Sequence, residues 1–311
     1  MRSRQTTKTS PETPVTDAWR EHRRYLIDVA YRTLGSVSDA EDVVQEAFAR
    51  LLHANLDEIR DVRGWLVVVV SRLCLDLLRS ARSRRETYIG PWLPEPLIPA
   101  GADDLGPEER VTLDDTVRMA LLVVLDRLSP AERVAFILHD VFQYSFNDIA
   151  AIVDRSPAAC RQLASRARRH VHAEGGDVQA EVDPVETRRV AERFLAACAT
   201  GDLEQLLAVL DPEVAGQTDS GGAVPAPRMR IVGRERVAQL LLAWLEGWQV
   251  TLVPMPVNTA PGALAVVDGQ VVAALALTIG HGVISEIHAV ANPDKLEYVK
   301  SMLAGRLPSP S

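Results

Sequence analysis

The sequence predicts a multidomain chain in which two all-α segments precede an α+β domain. Three observations carry this. Apolar residues recur at helical spacing through residues 18–85 and again from about Leu113, five prolines interrupt the pattern between them, and strand-like segments close the chain after Gly175-Gly176. At 311 residues, length alone suggests about two domains. Charged residues make up 24% and hydrophobic residues 47%, which excludes collagen-like, low-complexity and disulfide-scaffold classes. No apolar stretch reaches the roughly 18 residues a membrane helix needs. Met1 to Thr16 is polar, with no apolar h-region, so the expectation is a cytoplasmic protein without a secretory signal and without membrane contact.

In the first segment, Ala40, Val44, Ala47, Phe48 and Leu51 stripe one helix, beside the acids Asp39, Glu41, Asp42 and Glu46. Leu66, Val69, Val70, Leu73 and Leu77 stripe another. Four consecutive valines also suit a strand, but the flanking periodicity favours helix. The opposite face carries Arg72, Asp76 and Arg79, and a basic cluster follows at Arg79, Arg82, Arg84 and Arg85. Pro91, Pro94, Pro96, Pro99 and Pro107 then mark a linker. Trp92-Leu93 is unusual there, because a spacer has no use for a large apolar ring.

Ser129-Pro130-Ala131-Glu132 reads as a helix start with a capping box. Phe146, Ile149, Ala150 and Val153 form a short stripe, and Ser156-Pro157 opens a helix striped by Cys160, Leu163, Ala164, Ala167 and Val171. From Arg155 to Ala173 the chain holds Arg155, Arg161, Arg166, Arg168, Arg169, His170 and His172 with no acid. Two short helices, the second basic, suggest a helix-turn-helix. The formal net charge is −8, so these are local basic faces in an acidic chain.

In the last segment, Val190, Phe194, Leu195 and Cys198 stripe a helix stopped at Gly201, and Leu203, Leu206, Leu207 and Leu210 stripe the next. A loop containing Asp219-Ser220-Gly221-Gly222 leads to a helix from Glu235 to Leu245. Strands are expected around Val250, Leu264–Val267, Val271–Thr278 and Val283–Val290, as an antiparallel run with a hairpin at Asp268-Gly269. The expected boundaries are a tail 1–16, helical domain 17–86, linker 87–110, helix-turn-helix domain 111–174, linker 175–185, α+β domain 186–303 and tail 304–311.

Catalytic and cofactor signatures are sparse: no H-E-x-x-H, P-loop, G-x-G-x-x-G or nucleophile elbow is present. No cofactor and no metal is expected. Cys74, Cys160 and Cys198 lack metal-site spacing and read as buried thiols. One polar set, Asp219, Glu286, His281 and His288, could do acid–base work beside an apolar pocket containing Trp244 or Trp248. The plainer reading places both histidines at strand ends, merely hydrogen-bonded.

Asp39-Ala40-Glu41-Asp42-Val43-Val44-Gln45-Glu46-Ala47-Phe48 resembles the core-binding helix in region 2 of extracytoplasmic-function (ECF) sigma factors. Gly64-Trp65-Leu66 with Arg72, Asp76 and Arg79 is similar to that family's −10 segment. Leu128-Ser129-Pro130-Ala131-Glu132-Arg133, then Phe146 to Arg169, resembles its region-4 helix-turn-helix. Trp92-Leu93-Pro94-Glu95-Pro96 and Asn292-Pro293-Asp294-Lys295-Leu296 resemble the ECF group carrying a SnoaL-like (NTF2-like) extension.

The resemblance implies a sigma factor that binds core RNA polymerase and directs initiation at −10/−35 promoters. Asp39, Asp42 and Glu46 would face the β′ clamp helices, and region 4 the β flap. Arg72, Asp76 and Arg79 would lie along the −10 element, with Arg82, Arg84 and Arg85 nearer its phosphates. Ala158, Arg161, Gln162 and Ser165 would approach −35 base edges, while Arg155, Arg166, Arg168 and Arg169 belong to the same DNA-binding surface. A SnoaL-like cone would regulate through Trp92 to Pro96, Asp219, Gly221, Gly222 and Asn292 to Leu296, tuned by a small ligand or partner. Three departures stand out: Cys74 where many members have Asn, Asp154 for the common turn Gly, and Ser220 within the Gly-rich loop. Alternatives are a SnoaL-like enzyme or a ligand-sensing repressor fused to a DNA-binding arm; the acidic Asp39 to Glu46 helix argues against a repressor.

Overall fold

The computed structural model describes residues 14–85, 88–99, 117–173 and 183–303, without the side chains of 81–85. The side chains of Arg82, Arg84 and Arg85, the resumption of helix at Leu113, and Gly175-Gly176 therefore lie outside the described residues, as does most of both expected tails. Helices α1 (Pro14–Leu34), α2 (Val37–His53) and α3 (Val62–Arg85) form the first unit. Ser36 caps α2 by accepting from the Asp39 N–H, and Val37, Ala40, Val43, Val44, Ala47, Phe48 and Leu51 form its buried stripe. The four valines lie within α3, where Val67 and Val70 are buried, so helical periodicity outweighs their β preference.

Helices α4 (Met119–Asp126), α5 (Pro130–Phe136), α6 (Phe146–Val153) and α7 (Pro157–Ala173) form the second unit. Ser129 and Glu132 close the expected capping box on α5, which runs on into a wide π turn at Ile137–Val141. Asp154 ends α6 at φ 54°, so the turn keeps the left-handed conformation that Asp tolerates.

The two helical units are not separated. Residues from α1–α3 and α4–α7 share one continuous apolar core. Tyr25 meets Phe142 edge-on at 5.3 Å between centroids, and its hydroxyl donates to the Tyr144 hydroxyl at 3.2 Å. Nor is the Pro-rich linker a free spacer: residues 93–98 lie outside helix and strand and are buried. Leu93 and Ile98 pack with Met119 against the C-terminal sheet, while Leu97 joins the helical core. A linker carrying this much apolar surface is stable only when covered.

The C-terminal unit holds α8 (Pro184–Thr200), α9 (Leu203–Val209), α10 (Arg234–Gly247), α11 (Glu297–Leu303) and a sheet of six strands. These are β1 (Leu210–Asp219), β2 (Ile231–Val232), β3 (Thr251–Pro254), β4 (Gly262–Val267), β5 (Gln270–Gly280) and β6 (Val283–Val290), ordered β2-β1-β6-β5-β4-β3. The α+β class is as expected, but the purely antiparallel run is not. Leu210, read as the end of a helical stripe, starts β1, which pairs parallel with β6. Pro212 lacks the N–H a continuing helix would use, and the register shifts between Leu210 and Ala215. Asp268 and Gly269 both take positive φ in the expected β4–β5 hairpin.

The sheet has two differently covered faces. Ala273, Leu275, Leu277 and Ile287 pack toward α8, α9 and α10 and the segment entering β3. Leu264, Ala274, Ala276 and Val290 pack with Leu93, Ile98, Met119 and α11. The second face is therefore where the helical units sit.

Candidate functional site

Three exposed faces carry the charges expected to matter. On α2, Asp39, Asp42 and Glu46 are exposed while Ala40, Val44 and Ala47 point inward. Glu46 pairs with Arg50 one turn on, at 2.9 Å. On α3, Arg72, Asp76 and Arg79 occupy one exposed face, with Asp76 and Arg79 paired at 3.4 Å. Cys74 is wholly buried and does not share that face. On α7, Ala158, Arg161, Gln162, Ser165, Arg166 and Arg169 line a concavity of about 560 Å³ open to solvent.

Not every arginine of this surface is directed outward alone. Arg166 Nε donates to Glu132 Oε1 at 2.7 Å, and Arg168 lies 3.6 Å from Asp140. Burial works to raise the Glu132 carboxyl, but hydrogen bonds from Ser129 and Arg166 outweigh it and hold the pKa below the usual range. Arg155 donates to the Asp154 carbonyl at 3.0 Å. Arg72 Nη2 donates to the Ala151 carbonyl of α6 at 2.8 Å, so the α3 face touches the helix-turn-helix directly.

The linker motif is clamped from both sides. Toward α2, Glu95 accepts from the Val37 N–H and the Ser36 hydroxyl, both at 2.8 Å, and its own N–H donates to the Gly35 carbonyl at 2.8 Å. A carboxylate at this helix start meets free N–H groups and the positive end of the helix dipole. Gly35 adopts φ 74°, which strains any side chain, and a Cβ there would stand 3.1 Å from the Trp92 ring, which would have to shift. Toward the C-terminal unit, Asp219 is fully buried and accepts from the Leu93 N–H (2.8 Å), the Tyr88 hydroxyl (2.6 Å) and the Lys295 ammonium (2.6 Å). Lys295 also donates to the Leu93 carbonyl and lies 4.0 Å over the Trp92 ring. Burial, then Asp219, pushes the Tyr88 phenol pKa well up, keeping it a donor. Asn292 donates to that phenol and caps Pro293–Leu296 by accepting from the Asp294 N–H. At Gly221 (φ 57°) a side chain would be strained as well, and its Cβ, 2.6 Å from Asn292 Nδ2, would push that amide off its partners. Gly222 lies against Ile89. Pro94 and Pro96 are buried in the same strap, and Leu296 is buried under it.

The polar set read as a candidate acid–base centre assembles only in part: His288 Nε2 lies 3.9 Å from Glu286, which Arg230 also holds at 3.0 Å, while Asp219 is committed to the seam and His281 sits on the β5–β6 turn at φ 52°. His288 lies within β6 rather than at a strand end, and is buried on the face turned to the helical units. Burial, then Arg230 and Arg127, pushes its pKa down to about 4, and its Nδ1 has no hydrogen-bond partner. Trp244 packs against the inner sheet face, whereas Trp248 is half exposed beyond α10. The three cysteines are buried, with burial pushing the Cys198 thiol up to about 12. Among the described residues there is no His/Cys/Asp/Glu group able to hold a metal, and no helix long and apolar enough to cross a membrane.

Sequence reasoning missed four members of the seam: Tyr88, Tyr31, Ser36 and Asn258. Tyr31 is wholly buried and donates to the Glu95 carbonyl at 2.9 Å. Tyr88 sits near the strap motif, and Ser36 is the N-cap three residues before the Asp39 motif; Tyr31 and Asn258 have no local signal, being polar residues on unrelated elements.

Comparisons with known proteins agree with this architecture. The Sigma-70 region 2 family model matches residues 18–84, and the Sigma-70, region 4 model matches residues 118–171. The "Probable ECF RNA polymerase sigma factor SigI" of Mycobacterium tuberculosis is 44% identical over 298 residues, covering 95% of this chain and 99% of that protein. The ECF RNA polymerase sigma factor SigJ of the same organism is 40% identical over 284 residues, covering 88% and 90%. The crystal structure of SigJ superposes with a TM-score of 0.72 at 37% identity, covering 90% of this chain and 97% of that one.

Proposed function

Because this chain belongs to the extracytoplasmic-function RNA polymerase sigma factors, we propose that its C-terminal unit holds the two promoter-binding units closed and that promoter recognition requires their release. A sigma factor works with core RNA polymerase on promoter DNA. In our reading the Asp39, Asp42 and Glu46 face meets basic helices of the β′ clamp, and region 4 meets the β flap. The Arg72, Asp76 and Arg79 face reads the −10 element. The α7 face, with Arg161 and Gln162 foremost, reads −35 base edges, while Arg155, Arg166, Arg168 and Arg169 hold phosphates. Arg82, Arg84 and Arg85 would extend the −10 phosphate contacts.

One observation carries the closure: Arg72 is hydrogen-bonded to Ala151, which puts the −10 face against the helix-turn-helix. Promoter elements named −10 and −35 lie about 25 base pairs apart, or about 85 Å along the duplex at 3.4 Å per step. Units in contact cannot occupy both. The strap from Tyr88 to Ile98 reports closure to the C-terminal unit, since Glu95 ties it to α2 and Asp219 with Lys295 ties it to the sheet domain. A small ligand or protein partner taken up by the C-terminal unit would act by loosening this seam. The test is run-off transcription with purified core polymerase on a promoter this protein recognises. Asp219→Asn should raise transcript severalfold over wild type. Equal transcription from both would remove the seam from regulation, and transcription lost with the fold intact would make the C-terminal unit an activator instead.

A further inference from the structure

Asn258 lies in the loop between β3 and β4, wholly buried, at φ 51° with Thr259 following at φ 62°. Asn is among the few residues that adopt this backbone readily. Its polar groups reach three remote stretches of chain. The backbone N–H donates to the Leu97 carbonyl at 2.8 Å, and Oδ1 accepts from the Leu97 N–H at 3.0 Å. Nδ2 donates to the Tyr31 hydroxyl of α1 at 2.8 Å and to the Val117 carbonyl, two residues before α4, at 2.9 Å. One amide thus uses both donors and its acceptor on region 2, the linker and the entry to region 4.

We infer that Asn258 is the positioning residue that couples region 4 to region 2 in the closed protein. This rests on the closure reading above and names where release occurs. The seam of Asp219 and Lys295 grips Tyr88 and Leu93, so it fixes the C-terminal unit to the early linker. Asn258 grips the late linker and Val117 instead. The two grips divide the work: losing the first loosens the whole C-terminal unit, while losing the second loosens region 4 against the core it shares with region 2 and leaves the C-terminal unit held through the strap, by Glu95 on α2 and by Asp219.

Asn258→Asp keeps the shape, the tolerance of positive φ and the acceptor for Leu97. It replaces the donor Nδ2 with an oxygen facing the Val117 carbonyl, which leaves that buried carbonyl unsatisfied. The full chain would be labelled for energy transfer at exposed positions, His53→Cys with Ala173→Cys for region 2 against region 4, and His53→Cys with Glu204→Cys for region 2 against the C-terminal unit. Asn258→Asp should shift the region 2–region 4 ratio of closed to open by about tenfold, leave the second pair unchanged and raise run-off transcript. Should the variant fold poorly by circular dichroism, Tyr31→Phe removes one partner and should give the same pattern at smaller amplitude. Transfer that falls in both pairs together, or in neither, overturns the assignment, as does opening without more transcript. If Asp219→Asn raises transcription and Asn258→Asp does not, only Asn258 loses its role. If neither does, the closure reading itself fails.

Discussion

The Lys295 ammonium, 2.6 Å from the buried Asp219 carboxylate, also donates to the Leu93 carbonyl, so an ion pair within the C-terminal unit is completed by the linker. Taken alone, the pair would be costly to bury. The Leu93 N–H, the Tyr88 hydroxyl and the Trp92 ring offset that cost, and all three belong to the strap. Seating the strap and satisfying the pair are the same event.

Removing either charge should therefore cost more than removing both. Asp219→Asn or Lys295→Met alone leaves a buried charge or donor exposed to an apolar seam, and about 3 kcal/mol of stability should go with it. The double variant should lose less than the sum. Chemical denaturation of the four proteins in a double-mutant cycle measures the coupling, and additive losses would show that the pair is not acting as one unit.

Trp92→Ala deletes the ring under Lys295 and the contact with Gly35. The lost cation–π contact is worth about 1 kcal/mol, enough for a roughly fivefold change in promoter-dependent transcript. Melting of the helical core should change little. Run-off assays beside calorimetry separate the two effects, and unchanged transcription would take the ring out of the mechanism.

On α7, base reading and phosphate holding should separate experimentally. Gln162→Ala and Arg161→Ala should cost about 1–3 kcal/mol in discrimination at particular −35 positions. Arg169→Ala should weaken binding to every −35 sequence alike and flatten the salt dependence by about one unit of slope. Holoenzyme binding to a panel of −35 variants across a salt series checks both. A sequence-dependent effect of Arg169→Ala would reverse its assignment.

His288 predicts a specific acid sensitivity. Its folded pKa, about 4, lies below the ordinary histidine value. Above pH 6.5 both folded and unfolded forms are neutral there and the group makes no pH-dependent difference. As pH falls from about 6.5 to about 4, the unfolded chain takes the proton and the folded one does not, so stability is lost across that window, at most about 3 kcal/mol. His288→Gln should flatten the slope of unfolding free energy there, measured by denaturant titration at several pH values; an unchanged slope would mean that the imidazole is not kept neutral.

Local patterns were legible where local physics decides. Ser129 and Glu132, Asp154 and Asp268-Gly269 each show their conformation in their own chemistry, and the helical stripes named their buried faces. β1 was not legible, because Leu203, Leu206, Leu207 and Leu210 keep helical spacing up to the residue where the strand begins. The parallel partner of β1, β6, is some seventy residues on, beyond any window of periodicity. The strap motif could be recognised as wanting a cover, since Trp92 and Leu93 are out of place in a spacer. Its cover could not, because Tyr31, Asn258 and Lys295 come from three elements that only the tertiary fold brings together. Asp219, read in a loop, and His288, read at a strand end, were grouped in one polar set; burial against the helical units, invisible in sequence, gave them different roles.

The order of the chain gives the latch a timetable. Regions 2 and 4 are complete by Ala173, whereas Asp219, Asn258 and Lys295 all follow. At translation rates of about 5–20 residues per second, the roughly 120 residues from Ala173 to Lys295 occupy on the order of 6–24 s. On the closure reading, a newly made chain owns both helical units, with the core and the Arg72–Ala151 bond they share, before it owns the residues that tie the linker to the C-terminal unit, and every act of synthesis opens a brief interval in which that second restraint is missing.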